Sequence, residues 1–184
     1  MKDANHICPA SKAGLLDNKL RKWLQNPRKI LRPYVKEGMT VLDLGCGPGF
    51  FSLELARLVG SSGQVIASDL QEAMLKKVES KIEKTELKKI IKIHKCEEGR
   101  IALTRKVDFI LAFYMVHEVP YKIEFFNELK SLLSPQGVLF IVEPAFHVSR
   151  KIFARMIKKA KIVGFQEIKK PKIFLSRSVI LSLP

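Results

Sequence analysis

A chain of 184 residues, 47% of them apolar, has material for one packed core and too little for two ordinary domains, which excludes global disorder. Its longest apolar run, residues 109–116, is far too short to span a bilayer, and residues 1–6 lack the apolar core of a secretory signal. The net charge of +15 sits in the two ends: residues 1–36 hold nine Lys/Arg against two acids, residues 146–184 ten against one, and residues 37–145 fourteen against fifteen. Basic ends of this kind either attract anions, such as phosphates, nucleic acid, acidic headgroups or an acidic partner, or keep exposed helix faces soluble. Cys8, Cys46 and Cys96 are odd in number and widely spaced, which points to a reducing compartment, so a cytoplasmic protein is expected.

In chain order, a first helix is predicted around Leu16, Leu20, Trp23 and Leu24. Asn26-Pro27 reads as an N-cap followed by proline at the first helical position, opening a helix to about Val35 with Ile30, Leu31 and Tyr34 on one face. Strands are then predicted over 40–44, 64–68, 90–94, 107–112 and 137–142, with helices over 50–58, 71–84 and 122–133. Several of these strands are almost continuously apolar, as strands covered on both faces are. Ser149 caps a helix whose Ile152, Phe153, Met156, Ile157, Ala160 and Val163 point inward and whose Lys151, Arg155, Lys158 and Lys159 point out. A basic amphipathic helix can lie on a membrane, but the nearer reading is a helix covering the sheet. Residues 164–168 and 173–183, separated by Lys170-Pro171, read as a closing hairpin. Alternation of strand and helix implies a mostly parallel sheet with right-handed crossovers.

The chemistry concentrates at one junction. Strand 40–44 runs into Gly45-Cys46-Gly47-Pro48-Gly49, then a helix. Glycines there permit a tight turn and close approach of backbone to a ligand. The spacing is G-x-G-x-G, one residue short of the dinucleotide fingerprint, and Phe50 stands where a dinucleotide binder has its third glycine. Asp43 lies two residues before Gly45, and Asp69 ends the second strand, twenty residues after Gly49. In an open parallel sheet, ligands bind beyond the carboxyl ends of the strands. A carboxylate at Asp69 can accept both hydroxyls of a ribose, and one at Asp43 favours a cationic ligand, such as a sulfonium amino acid, over a pyrophosphate.

With these residues in place, the chain resembles the class I S-adenosylmethionine-dependent methyltransferases, from about Asn26 to its end. VLDLGCGPG (41–49) is similar to the family's first motif, VIASDL (65–70) to its second, VDFILAFYMVHEV (107–119) to its fourth, and LLSPQGVLFIVEP (132–144) to its turn and fifth strand. The resemblance implies a three-layer α/β/α sandwich around a doubly wound, seven-stranded, mostly parallel sheet with an antiparallel last strand. It also implies S-adenosylmethionine as cofactor, held by Asp43, Gly45, Cys46, Gly47, Gly49, Asp69, Leu70, Cys96 or Glu97, and Phe113. Leu70 would lie beside the adenine, and Cys96 or Glu97 would stand where the family often places an acid toward the adenine amino group. Cys46 reads equally as a small buried filler, and Glu143-Pro144 as the simple end of a strand.

Residues 1–36 are expected to form a helical lid, with Trp23 and Tyr34, over a methyltransferase domain of residues 37–184. A small-molecule methyl acceptor is expected, because little chain is left to build its pocket. Tyr114, His117 and Glu118, with His147 behind them, are the candidates for proton transfer after the fourth strand. No metal site is expected, although Cys8-Pro9 could meet a thiol-reactive acceptor. The basic ends keep RNA open as an acceptor, but Ala112-Phe113-Tyr114-Met115 replaces the Asn/Asp-Pro-Pro-aromatic tetrad that serves base amino groups. A nicotinamide-dependent oxidoreductase and a non-catalytic cofactor-binding module are the remaining alternatives.

Overall fold

The predicted alternation is realised in the computed structural model, which describes residues 25–184. The elements are α1 (Pro27–Leu31), β1 (Thr40–Leu44), α2 (Ser52–Val59), β2 (Gln64–Asp69), α3 (Glu72–Ile82), α4 (Leu87–Ile90) and β3 (Ile91–Lys95). They continue through β4 (Val107–Phe113), a 310 turn (Val116–Glu118), α5 (Lys122–Leu132), β5 (Leu133–Pro144), α6 (Arg150–Val163), β6 (Gln166–Lys169) and β7 (Ser176–Ser182). The early helix through Trp23, and Cys8, lie outside the described residues.

All seven strands join one sheet in the order β3-β2-β1-β4-β5-β7-β6. β1 to β5 pair parallel, β7 runs antiparallel to β5, and β6 runs antiparallel to β7. One face is covered by α1, α2 and α3, with Leu31, Leu55 and Val78 packed on Val41, Val65, Phe109 and Phe140. The other is covered by α5 and α6, with Phe126, Leu129, Met156 and Ile157 on Leu42, Ile110 and Leu139. Because both faces are buried, the central strands carry no polar alternation, which explains their apolar runs. The expected three-layer sandwich is the fold observed. No helix among the described residues is long and apolar enough to cross a membrane.

Several boundaries differ from expectation, each for a local reason. Asn26 Oδ1 accepts the Lys29 N–H at 3.1 Å and Pro27 opens α1 as predicted, but the helix stops at Leu31 instead of Val35. Pro33 has no N–H to extend the ladder, so the chain turns, with Tyr34 and Val35 both donating to the Leu31 carbonyl. Tyr34 thereby leaves the helix and packs edge-on against Phe140 at 5.2 Å, with Lys169 Nζ 4.5 Å from its ring centroid. It also stacks toward Phe109, which pairs with Val41 in the amino-terminal half of β4, so its ring covers the sheet face rather than the strand ends. β5 begins at Leu133, not 137, because Leu133 pairs with Val107 across a register shift. The third strand begins at Ile91, since Ile90 closes the short α4. Ser149 caps α6, its Oγ accepting the Ile152 N–H at 3.2 Å. Ile152, expected inward, is instead exposed: it sits at the edge of the buried stripe in the first turn.

Candidate functional site

The strand order reverses between β1 and β4, and the crevice beyond their carboxyl ends is the natural ligand position in an open sheet. The glycine loop closes its floor. Gly45 and Cys46 both donate backbone N–H groups to the Ser68 carbonyl, at 2.8 and 3.0 Å, tying the loop to β2. Lys81 Nζ donates to the Pro48 carbonyl at 2.7 Å and fixes it to α3. Gly47 has φ +53°, and a Cβ built there would meet nothing within 4 Å. Gly45 differs, since a Cβ there would press on Met115 at 3.0 Å. Gly47 is therefore the place where the loop presents bare backbone to open space.

Asp69 closes the adjoining wall. Its Oδ2 accepts the Gly47 N–H at 2.9 Å and its Oδ1 accepts the Gln71 N–H at 2.8 Å. Burial raises its pKa, while the N–H groups of Gln71, Gly47 and Leu70 oppose the rise by favouring the charged form. Each carboxylate oxygen keeps lone-pair capacity for one further donor. Leu70 follows, half-buried. Cys96 donates its backbone N–H to the Asp69 carbonyl at 3.0 Å, and its Sγ lies 2.9 Å from Ser68 Oγ. Burial raises the Cys96 thiol pKa. Glu97, by contrast, sits exposed in a bridge with Arg100, so Cys96 is the residue this turn sets beside Asp69.

Asp43 is buried beneath the loop, where its Oδ2 accepts the Ser52 hydroxyl at 2.5 Å. Cys46 is buried too, and burial, with the charges of Asp43 and Asp69, pushes its thiol pKa strongly up. It is a neutral filler whose contribution to the loop is its backbone. Phe113 is likewise buried, 4.3 Å between ring centroids from Phe51 and 4.5 Å from Tyr114.

Beyond β4 the proposed proton-transfer residues separate. Tyr114 holds φ +62°, a left-handed conformation uncommon for a bulky residue. Its hydroxyl lies 2.6 Å from Ser176 Oγ and accepts from Gln25 Nε2 at 2.5 Å, which draws it toward β7 and the entering chain. His117 turns the other way. Its Nδ1 lies 2.5 Å from Glu143 Oε2, and its backbone N–H donates to Glu143 Oε1 at 3.1 Å. Glu118 Oε1 lies 3.8 Å from His117 Nε2, and the exposed His147 packs its ring edge-on at 4.9 Å. Burial pulls the His117 pKa down. The hydrogen bond and charge of Glu143, with the charge of Glu118, outweigh it and leave a net rise.

Glu143 is the residue that sequence reasoning missed. It is 0% exposed at the end of β5, and both its oxygens serve His117. A signal was present: an acid closing the apolar run Val138 to Val142 must be paired if it is buried. Gln25 and Ser176, the partners of Tyr114, carried no such signal. No cluster of three or more metal-ligating side chains occurs among the described residues.

Residues 35–172 match a family model described as a methyltransferase domain. The chain is 30% identical to a crystal structure of an S-adenosylmethionine-dependent methyltransferase from Aquifex aeolicus, with a TM-score of 0.86 over 95% of this chain and 98% of that one. A putative S-adenosylmethionine-dependent methyltransferase from Methanococcus maripaludis shares the fold, with a TM-score of 0.78 over 100% of this chain and 97% of that one at 17% identity. Among curated proteins, a demethylmenaquinone methyltransferase of Lactobacillus johnsonii is 32% identical over 110 residues, 59% of this chain and 45% of its own length. The namesake protein of Listeria welshimeri is 27% identical over 122 residues, 66% of this chain and 51% of its own. The chain thus spans about half the length of the curated relatives it matches.

Proposed function

The chain belongs to the S-adenosylmethionine-dependent methyltransferases, and we propose that it methylates a small aromatic acceptor, with His117 taking the acceptor's proton. The carrying observation is Asp69. It is buried at the end of β2, fixed by two backbone N–H groups, and still able to accept two hydroxyls beside the bare backbone of Gly47. These residues fit the cofactor. Asp69 would hold the ribose, Gly47 would allow backbone contact, and Leu70 and Cys96 would flank the adenine. Gly45 and Gly49 shape the loop, Asp43 supplies a fixed negative charge beneath it, and Phe113 backs the far wall. The open cradle at Gly47 and the G-x-G-x-G spacing speak against the nicotinamide reading.

Bound there, S-adenosylmethionine supplies a methyl group already activated by its sulfonium charge, so the chain's work is alignment and exclusion of water. Glu143 accepts the Nδ1–H of His117, which fixes the tautomer and leaves Nε2 as the proton acceptor. Glu118, 3.8 Å from Nε2, stabilises the imidazolium that forms. Glu143 is thus a positioning residue, and His117 the one that meets the acceptor. Tyr114, tied to Ser176 and Gln25, shapes the acceptor wall rather than moving the proton. Gln25, just before α1, reaches this wall through the Tyr114 hydroxyl.

The acceptor class draws on the curated relatives, named for demethylmenaquinone, and on the short connections around the crevice. An aromatic hydroxyl becomes a competent nucleophile once deprotonated, which gives His117 its task. The test offers purified full-length chain and S-adenosylmethionine to a panel of naphthoquinols, catechols and total RNA, read by product mass and S-adenosylhomocysteine release. A methylated quinol or catechol supports the proposal; methylation of RNA alone overturns the acceptor class.

A further inference from the structure

Six of the seven exposed large apolar side chains among the described residues fall between residues 146 and 175. That stretch lies within residues 146–184, which carry ten Lys/Arg against one acid. Three of the six, Phe146, Phe174 and Leu175, share one edge, and Arg150 and Lys172 lie within a few residues of them in the chain. Phe146, in the turn after β5, is 81% exposed, and Phe174 and Leu175, in the turn before β7, are 52% and 60% exposed. The turns are bound together, Ala145 donating its N–H to the Leu175 carbonyl at 2.9 Å, and the second turn is braced internally by Ser176 Oγ donating to the Phe174 carbonyl at 2.9 Å.

Beside this apolar rim, a cleft of about 640 Å³ runs between α6 and the β6–β7 hairpin. Its one acid, Glu167, is neutralised by Lys161 at 3.4 Å and Lys170 at 2.9 Å, and the Arg177 guanidinium donates to the Val148 carbonyl at 2.7 Å. Arg150, Lys158 and Lys172 line the same cleft with no acidic partner among the described residues. A solubility role explains the cations but not the neighbouring Phe146, whose ring gains nothing from water. A nucleic acid would satisfy the cations and leave Leu175 and much of the rim wet. The interface of an anionic bilayer satisfies both, taking apolar side chains at the headgroup boundary and cations at the lipid phosphates.

We propose that this edge docks on an anionic membrane surface, with Phe146, Phe174 and Leu175 entering the headgroup boundary and Arg150, Lys158 and Lys172 meeting lipid phosphates. Docking does not depend on the methyl-transfer reading. Joined to that reading, it sets the crevice mouth on the bilayer, because Ser176 next to the rim bonds the hydroxyl of Tyr114. An acceptor dissolved in lipid would then enter without crossing water.

The test is co-sedimentation of the full chain with vesicles of phosphatidylcholine alone and of phosphatidylcholine with phosphatidylglycerol, at low and high salt. Binding to the anionic vesicles and weaker binding to the neutral ones are expected. Arg150→Gln, Lys158→Gln and Lys172→Gln together should weaken binding about a hundredfold, since each cation near such a surface is worth about fivefold. Phe146→Ser with Leu175→Ser leaves every charge in place and should still weaken binding about tenfold. S-adenosylmethionine affinity should stay unchanged in both variants, which separates a failure of docking from a failure of the cofactor reading. Absence of vesicle binding, retention on RNA but not on vesicles, or full binding by the Phe146 and Leu175 variant would overturn the proposal.

Discussion

Asp69→Asn keeps the shape of the side chain and tests the ribose contact directly. In the wild type, one carboxylate oxygen takes the Gly47 N–H at 2.9 Å and the other the Gln71 N–H at 2.8 Å. The asparagine amide has one oxygen, so its NH₂ must face one of these N–H groups, donor against donor. The charge is lost as well, and with it the stronger class of hydrogen bond, about 1.5–3 kcal/mol for each bond to a charged acceptor. Losing one ribose bond and weakening the other amounts to about 3 kcal/mol, or about a hundredfold in dissociation constant. Calorimetry with S-adenosylmethionine and S-adenosylhomocysteine measures it, with circular dichroism on the same sample to establish that the variant is folded. A folded variant whose affinity changes less than about threefold would refute the ribose assignment.

His117 gives a pH signature. A base must be neutral to act, so methyl transfer should rise with pH, with its inflection above the ordinary histidine value of 6.5 because the net shift of His117 is upward. Glu143→Gln should move that inflection down, since burial then acts with only Glu118 against it; an unmoved profile would mean that His117 is not the titrating group. In stability the same shift has the opposite sense. The pair contributes fully below pH 6.5, and its contribution is lost as pH rises through the folded-state pKa, so melting curves of wild type and Glu143→Gln should converge toward alkaline pH. His117→Ala should lower the methyl-transfer rate about 10²-fold or more without changing S-adenosylmethionine affinity. Gly47→Ala, at φ +53° with open space around the new methyl, should cost about 1 kcal/mol of stability and a larger factor in cofactor affinity. Equal S-adenosylmethionine affinity in Gly47→Ala and wild type would show that the loop backbone does not meet the ligand.

What could be read before folding was local. The junction of β1, glycine loop and α2 follows from glycine spacing and two carboxylates at strand ends, all within a short stretch. The layer order follows from apolar strands alternating with amphipathic helices. The features that escaped depend on distant chain. Leu133 joins β5 only because Val107 lies beside it. Pro33 ends α1 early through a missing N–H, although the apolar spacing of Ile30, Leu31 and Tyr34 continues past it. Glu143 and His117 are separated by 26 residues and meet only because β4 and β5 are neighbours in the sheet. The choice between Cys96 and Glu97 turned on one residue of register at the end of β3, which periodicity does not resolve.

The proposed occupant of the crevice over Asp69 and Gly47 is an adenosyl sulfonium. Calorimetry of the purified full-length chain with S-adenosylmethionine, S-adenosylhomocysteine and NAD tests it most directly. Saturable binding of both adenosyl compounds, with no heat from NAD, is the predicted result; saturable binding of NAD with neither adenosyl compound bound would contradict it.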